Sequence, residues 1–191
     1  MTDLYDIAAA QRSHQDEKVC GDAYVVLPCE GGTLVALADG LGHGPQAAEA
    51  ALLFCDHVRA AQSSSLVDLM HGAHELLERT RGVAAGLLHL DPAKRRLAYA
   101  GVGNIEFAAV SREPIRPLCT PGIVGKRMRK VTPYQYKYHG GDVLMLFSDG
   151  ISSHCAITPY LHLGAQAIAD AILIHHGKAH DDATCIVVRC R

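Results

Sequence analysis

The chain has 191 residues, of which 49% are hydrophobic and 20% charged, a balance typical of one globular domain with a buried core. Its net charge of −2 and its aromatic content of 5%, with no tryptophan, argue against a surface that binds nucleic acid. The N-terminal segment lacks the features of a signal peptide, and the apolar runs are too short to cross a bilayer. We therefore expect a single domain over residues 1–191, located in the cytoplasm, with no nucleic-acid or membrane partner.

The seven cysteines are odd in number and scattered, and none forms a C-x-x-C pair. This usage is typical of reduced, mostly buried thiols rather than of a disulfide framework. The twelve histidines have no cysteine pairs at zinc spacing near them. We therefore interpret them as surface and core residues.

The first half of the chain predicts strands followed by helices. Pro45 begins a helix that continues to Gln62, with apolar residues three and four positions apart. A second helix is predicted over Ser65–Gly82, with Ser65 as its N-cap and Gly82 as its C-terminal stop. The strands that precede these helices are short apolar runs between turn residues, at Leu4–Ala10, Ala23–Leu27 and Thr33–Ala38.

The second half returns to strands and ends with one helix and one strand. The last helix is predicted at about Pro159–His175, and the closing strand at Ala183–Cys190. The order of elements differs from a βαβ repeat and predicts an α+β layered fold with antiparallel sheets. The other predicted strands are Val83–Leu90, Arg95–Gly103, Asn104–Ser111, Ile115–Thr120, Tyr134–His139 and Asp142–Ser148.

Acidic residues lie at the margins of several predicted strands. Asp22 precedes the second strand, Asp39 ends the third, Asp149 follows the "VLMLFS" run, and Asp181 with Asp182 precedes the closing strand. Taken alone, each Asp-Gly pair is a turn signal. If the margins meet at one end of the sheets, the carboxylates repel each other, and hard divalent cations are their natural compensation.

A set of motifs occurs in a recognisable order along the chain: "CGDAY", "ALADGLGHG", "YAGVGNIEF", "GIVG", "GDVLMLFSDGI" and "HDDATCIVVR". With this set the chain resembles the metal-dependent protein phosphatases of the 2C type. It is most similar to the small bacterial branch that includes the SpoIIE and RsbU phosphatases and the phosphatases that reset the stressosome. The resemblance covers nearly the whole chain. It implies a four-layer αββα sandwich of two antiparallel sheets flanked by helices, without a flap subdomain.

The resemblance also implies a serine/threonine phosphatase with two Mg²⁺ or Mn²⁺ ions. Asp39 would bridge the ions, the Gly40 carbonyl and Asp22 would serve one of them, and Asp149 and Asp181 would complete the other. A water held between the ions would attack phosphorus, with no covalent phospho-enzyme. The expected substrates are phosphorylated STAS-domain proteins of a stressosome-like complex, dephosphorylated as negative feedback on a stress response.

His43 has two interpretations. It is a candidate catalytic residue beside Asp39, because a histidine can protonate the leaving serine or threonine oxygen. The alternative is a loop histidine at the start of a helix, and the spacing favours it, since eukaryotic members carry their histidine directly after Asp-Gly and here Leu41 and Gly42 intervene. A further departure is Cys20, which replaces the usual serine before Gly-Asp.

Two other functions are alternatives to the phosphatase. The G-x-G-x-G pattern at Gly40–Gly44 is found in the ATP lid of anti-sigma-type kinases, but those proteins hold Mg²⁺ through an asparagine on a helix. The single asparagine of this chain, Asn104, falls in a predicted strand-turn. A non-catalytic phosphoprotein-binding or scaffold module is the second alternative, and the full set of acidic residues argues against it.

Overall fold

The computed structural model describes residues 4–61 and 65–191, which form nine strands and three α-helices. Pro45 is the first residue of the first helix, where a backbone N–H would have no acceptor within the helix. The elements, in chain order, are β1 (Tyr5–Arg12), β2 (Asp22–Cys29), β3 (Gly32–Gly40), α1 (Pro45–Ala61), α2 (Leu66–Leu76), β4 (Val83–Asp91), β5 (Arg96–Val102), β6 (Glu106–Val110), β7 (Tyr134–Lys137), β8 (Val143–Phe147), α3 (Ala165–His176) and β9 (Ala183–Cys190).

The strands form two antiparallel sheets. The four-stranded sheet has the order β1-β9-β8-β6, so the first and last strands of the chain are neighbours. The five-stranded sheet has the order β2-β3-β4-β5-β7. A tight hairpin joins β2 to β3 through Gly31, whose φ of +78° favours glycine.

Three apolar layers hold the sheets and helices together. Helices α1 and α2 cover one face of the five-stranded sheet, with Phe54 and Met70 among the buried residues. The two sheets pack on each other around Leu37 and Tyr99. Helix α3 covers the outer face of the four-stranded sheet, where Ile168 is buried. This arrangement is the four-layer αββα sandwich, and the predicted fold class is confirmed.

The second helix is shorter than predicted. The N-cap is confirmed, because the Ser65 hydroxyl accepts a hydrogen bond from the Asp68 N–H. The helix ends at Leu76 rather than at Gly82. Leu77 is the C-cap, and Thr80 closes a turn by donating its N–H to the Leu77 carbonyl at 2.9 Å. Of the first helix, the predicted last residue, Gln62, lies outside the described residues.

Two other predictions were wrong: the start of the last helix and the existence of one strand. Helix α3 begins at Ala165, whose N–H donates to Asp6, whereas Pro159 lies in a separate short 3₁₀ turn at Thr158–Tyr160. The predicted strand Ile115–Thr120 does not form, since it contains a proline and makes only one isolated bridge, from Thr120 to Val102. Across residues 4–61 and 65–191, no helix has the length and apolar character needed to cross a bilayer.

Candidate metal centre

The acidic residues singled out in the sequence lie at neighbouring strand ends in the two sheets. Asp22 opens β2 and is paired in register with Asp39, near the end of β3. Asp149 lies just after β8, and Asp181 just before β9. Because β8 and β9 are antiparallel neighbours, the end of one lies beside the start of the other. Each sheet therefore supplies two aspartates to the same edge of the sandwich.

Ser148 joins the two pairs of aspartates. Its hydroxyl donates to Oδ2 of Asp22 over 2.7 Å and accepts the N–H of Thr184 at 3.0 Å. Gln11 on β1 reinforces the link, because its amide nitrogen lies 3.0 Å from the Asp22 carbonyl and 3.2 Å from the Thr184 hydroxyl. These bonds hold the nearly inaccessible Asp22 at the junction of the two sheets.

A cleft of about 190 Å³ opens where these strand ends meet. Asp22 and Gly40 are buried behind its walls. Gly40 has a packing reason to be glycine, since a Cβ there would lie 2.1 Å from the carbonyl oxygen of Ala47 on α1. The cleft brings together three of the predicted aspartates and His43, and it is lined by Asp39, Leu41, Gly42, His43, Ala84, Asn104, Asp149 and Asp181.

Burial and mutual repulsion make these carboxylates hard to ionise. Burial is the main cause that raises the pKa of Asp39 to about 9, and the charges of Asp22, Asp149 and Asp181 add to it. Burial also raises the pKa of Asp22 to about 7, although hydrogen bonds from Ser148 and Thr184 oppose the shift. The pKa of Asp181 is raised by burial and then by Asp149. The positive charge that the chain places at the site thus does not fully compensate these carboxylates.

The donors of the site fit a hard divalent cation. They are carboxylate oxygens, which Mg²⁺ and Mn²⁺ prefer. In the described part of the chain, Oδ1 of Asp22 and Oδ2 of Asp182 are buried without a hydrogen-bond partner. Among the same residues, no group of three or more acidic, histidine or cysteine side chains is already arranged so that it could hold a metal ion. The aspartates therefore form an open cleft whose charge a cation would neutralise.

Asn104 and Lys178 are among the site residues that the sequence analysis missed. The side-chain amide of Asn104 donates to Oδ2 of Asp149 at 2.6 Å and so orients that carboxylate. The ammonium of Lys178 donates to the backbone carbonyl of Asp149 and lies close enough to lower the pKa of Asp181. Asn104 could have been identified from the sequence, because it is the only asparagine of the chain and lies in a glycine-rich turn. No feature of the sequence marks Lys178.

His43 lies at the mouth of the cleft, in the loop before α1. Its Nδ1 is 2.7 Å from Oε1 of Glu17, and its ring stacks on that of His14 with centroids 4.6 Å apart. The backbone N–H of His14 donates to Oδ1 of Asp182 at 2.9 Å. The loop between β1 and β2 therefore positions His43, while leaving its side chain 56% exposed.

Comparison with known proteins decides the family. The family model described as Stage II sporulation protein E (SpoIIE) matches residues 30–191. The chain belongs to the SpoIIE family. The predicted resemblance to this branch of the 2C-type phosphatases is confirmed.

Individual relatives of this SpoIIE-family chain cover nearly all of it. The phosphoserine phosphatase RsbX of Bacillus subtilis (strain 168) is 24% identical over 181 residues, which are 93% of this chain and 90% of RsbX. A structure from work on the bacterial stressosome as a modular system that controls secondary-messenger signalling is 31% identical, with a TM-score of 0.92 over 98% of this chain and 100% of that one.

The catalytic domain of the serine/threonine phosphatase PstP, solved with two manganese ions, shares the fold. It is 16% identical, with a TM-score of 0.72, and each chain covers 97% of the other. At this level of identity, the likeness to PstP shows a shared fold.

Proposed function

We propose that this protein is a metal-dependent serine/threonine protein phosphatase with two Mg²⁺ or Mn²⁺ ions. The observation that carries the proposal is the meeting of aspartates from both sheets in one cleft, with the pKa of Asp39 raised to about 9. A cluster of carboxylates that cannot all ionise alone is suited to hold cations, and family membership gives the same answer.

In this proposal each aspartate keeps the role expected from the sequence. Asp39, Asp149 and Asp181 would hold the ions from the cleft, and Asp22 and the Gly40 carbonyl would serve them from behind it. The ions, when bound, supply an activated water for in-line attack and offset the charge of the phosphoryl oxygens. The chain itself holds the carboxylates in place through the hydrogen bonds of Ser148 and Asn104 described above.

His43 is proposed to protonate the leaving serine or threonine oxygen. It faces the cleft and is held by Glu17, so that the second ring nitrogen is free to donate a proton. This contact is the observation that favours the catalytic interpretation of His43 over that of a simple loop residue.

The proposed substrates are phosphorylated STAS-domain proteins of a stressosome-like complex in the cytoplasm. Two relatives support this assignment, since RsbX is a phosphoserine phosphatase and the 31% identical structure comes from work on the stressosome. Dephosphorylation of such proteins would act as negative feedback on the signal.

The test is hydrolysis of a phosphoserine peptide and of p-nitrophenyl phosphate, with and without Mn²⁺. We expect turnover only with the metal, loss of turnover in Asp39→Asn, and normal turnover in Asp170→Asn, an exposed aspartate on α3. Absence of metal-dependent turnover on both substrates would contradict the proposal. Phosphopeptide binding without turnover would favour a non-catalytic binding module instead.

A further inference from the structure

The segment between β6 and β8 has an unusual charge distribution. Residues 114–141 contain no aspartate or glutamate but six of the 18 lysines and arginines of the chain. Four of these six lie within five positions and all four are exposed: Lys126, Arg127, Arg129 and Lys130. Since the whole chain has a net charge of −2, this concentration of positive charge is local.

Backbone hydrogen bonds place this segment beside the candidate metal centre. Val124 and Val83 exchange two bonds of 2.9 and 3.0 Å, and the Gly103 N–H donates to the Thr120 carbonyl at 3.0 Å. The residues that follow Val83 and Gly103 in the chain, Ala84 and Asn104, line the cleft. The basic segment therefore borders the cleft through two strand ends.

The segment is held in a tight turn. Gly122 bridges Met128, and the Ile123 N–H donates to the Arg127 carbonyl at 2.8 Å. At the tip, Gly125 adopts a φ of +88° and donates its N–H to Nδ1 of His74 on α2 at 2.9 Å. The positive side chains are thus displayed on a fixed backbone, which lowers the entropy cost of binding a partner.

Two more arginines extend the positive surface towards the mouth of the cleft. The Lys126 ammonium donates to the Glu78 carbonyl at 2.9 Å, next to the exposed Arg79. Arg81 donates to the Leu41 carbonyl at 3.4 Å and lies against Gly42, and both of those residues line the cleft. We call this surface the basic rim; it consists of Arg79, Arg81, Lys126, Arg127, Arg129 and Lys130.

Ion pairs within the described part of the chain do not neutralise the charges of the basic rim. Over the residues described, every salt bridge involves other groups, such as Arg59 with Asp56 and Lys94 with Asp91. Glu49 lines a shallow depression together with Arg79 without pairing to it. The surface therefore has a positive region, the basic rim, directly beside a negative region, the acidic cleft.

We propose that the basic rim binds acidic residues that flank the phosphorylated serine or threonine of a protein substrate. The inference rests on the proposed phosphatase function, since the phosphoryl group must occupy the cleft while the flanking residues lie on the rim. Complementary charge accelerates association and selects among partners. A protein is favoured over nucleic acid because none of the six rim residues is aromatic, so that bases have nothing to stack on there.

The test compares three phosphoserine peptides of equal length, whose flanking residues are acidic, neutral or basic. We expect kcat/KM to be highest for the acidic peptide, and the advantage to shrink as salt rises from about 0.05 to 0.5 M. The double variant Arg127→Glu and Arg129→Glu is expected to lower kcat/KM for the acidic peptide about tenfold. Dividing each value by the p-nitrophenyl phosphate rate of the same variant corrects for any loss of folded enzyme.

A matched control uses two exposed cations of the same segment that lie outside the rim, as Arg116→Glu and Lys137→Glu. Arg116 lies in a groove with Val110 at the far end of β6, and Lys137 pairs with Arg96 at the far end of β5. We expect this control to keep the preference for acidic peptides. Equal kcat/KM for the three peptides, or equal losses in the rim and control variants, would overturn the proposal.

Peptide binding to the metal-free chain, followed by fluorescence anisotropy, separates this proposal from the phosphatase function. Preferential binding of the acidic peptide that is lost in the rim variant supports the rim even if turnover is absent. A single-stranded oligonucleotide that binds the rim more tightly than the acidic peptide would assign it to nucleic acid, and the proposal would be wrong.

Discussion

Replacing Asp39 with asparagine separates the loss of folding stability that the acidic cluster causes from the phosphatase activity that the cluster supports. Asparagine has nearly the same shape as a protonated aspartic acid but carries no charge at any pH. Its side-chain amide keeps a hydrogen-bond donor, as the protonated carboxyl does. We therefore expect the variant without metal to be more stable than the natural chain, while its phosphatase activity is lost.

The size of the stabilisation follows from the pKa of Asp39, which is raised from 3.8 to about 9 by burial and three neighbouring carboxylates. At pH 7.5 that shift corresponds to a ceiling of about 5 kcal/mol, at about 1.4 kcal/mol for each pH unit above 3.8. Relaxation and entry of water reduce it, so we expect about 1–3 kcal/mol. For a chain of this size, that raises Tm by roughly 3–9 °C.

The pH dependence has a definite sign. A carboxyl whose pKa is raised on folding imposes no penalty below pH 3.8, where both states are protonated. The penalty grows as pH rises and levels off above about 9, because the unfolded chain loses its proton first. The Tm advantage of Asp39→Asn is therefore expected to be small near pH 4 to 5 and to increase towards pH 9.

Thermal unfolding with and without Mn²⁺ measures both effects. With EDTA present, the variant should unfold at a higher temperature than the natural chain. On addition of Mn²⁺ the natural chain should gain stability, since cation binding favours the folded state, and the variant should gain much less. A variant that is less stable without metal, or that gains as much from Mn²⁺, would refute the placing of Asp39 at the centre of the cation site.

Three other substitutions test separate parts of the site. Glu17→Gln should slow hydrolysis of a phosphoserine peptide about tenfold or more but hardly affect p-nitrophenyl phosphate, whose leaving group needs no proton. Asn104→Ala should raise the Mn²⁺ concentration for half-maximal activity about tenfold, because Asp149 loses a hydrogen bond of 2.6 Å. Gly40→Ala should cost about 3 kcal/mol or more in unfolding experiments, since its Cβ would lie 2.1 Å from the Ala47 oxygen.

Each of these expectations has a result that contradicts it. Equal slowing of both substrates by Glu17→Gln would show that the residue supports the fold rather than proton transfer. An unchanged Mn²⁺ requirement in Asn104→Ala would remove the residue from the support of the cation site. Natural stability in Gly40→Ala, measured by denaturant unfolding, would mean that α1 can move away at little cost.

The aspartates of the site could be found from the sequence because strand patterns are local. A strand with alternating or continuous apolar residues shows where it ends, and Asp22, Asp39 and Asp149 stand at such ends. That these ends meet depends on the order of strands in the two sheets, which came from the family resemblance. The cluster was thus predictable from local pattern and motif order together.

The residues that support the aspartates could not be found in the same way. Ser148 and Asp22 are 126 positions apart, and His43 and Glu17 are 26 apart, so their contacts exist only in the folded chain. The predicted end of α2 was wrong for a related reason. Gly82, with a φ of +81°, serves the turn before β4 rather than the end of the helix, and a positive φ alone does not say which element it terminates.

The two Asp-Gly pairs show how packing and chemistry share the same residues. A Cβ on Gly40 would lie 2.1 Å from the backbone carbonyl oxygen of Ala47 on α1. A Cβ on Gly150 would lie 1.9 Å from the backbone carbonyl oxygen of Asp182. Each glycine therefore lets another segment of the chain approach an aspartate closely. Burial raises the pKa of Asp39, and the same burial would strengthen the attraction between its carboxylate and a cation. The destabilisation of the metal-free fold by the acidic cluster and the affinity of the cluster for metal then have one structural origin. A substitution that removes the destabilisation should therefore also weaken metal binding.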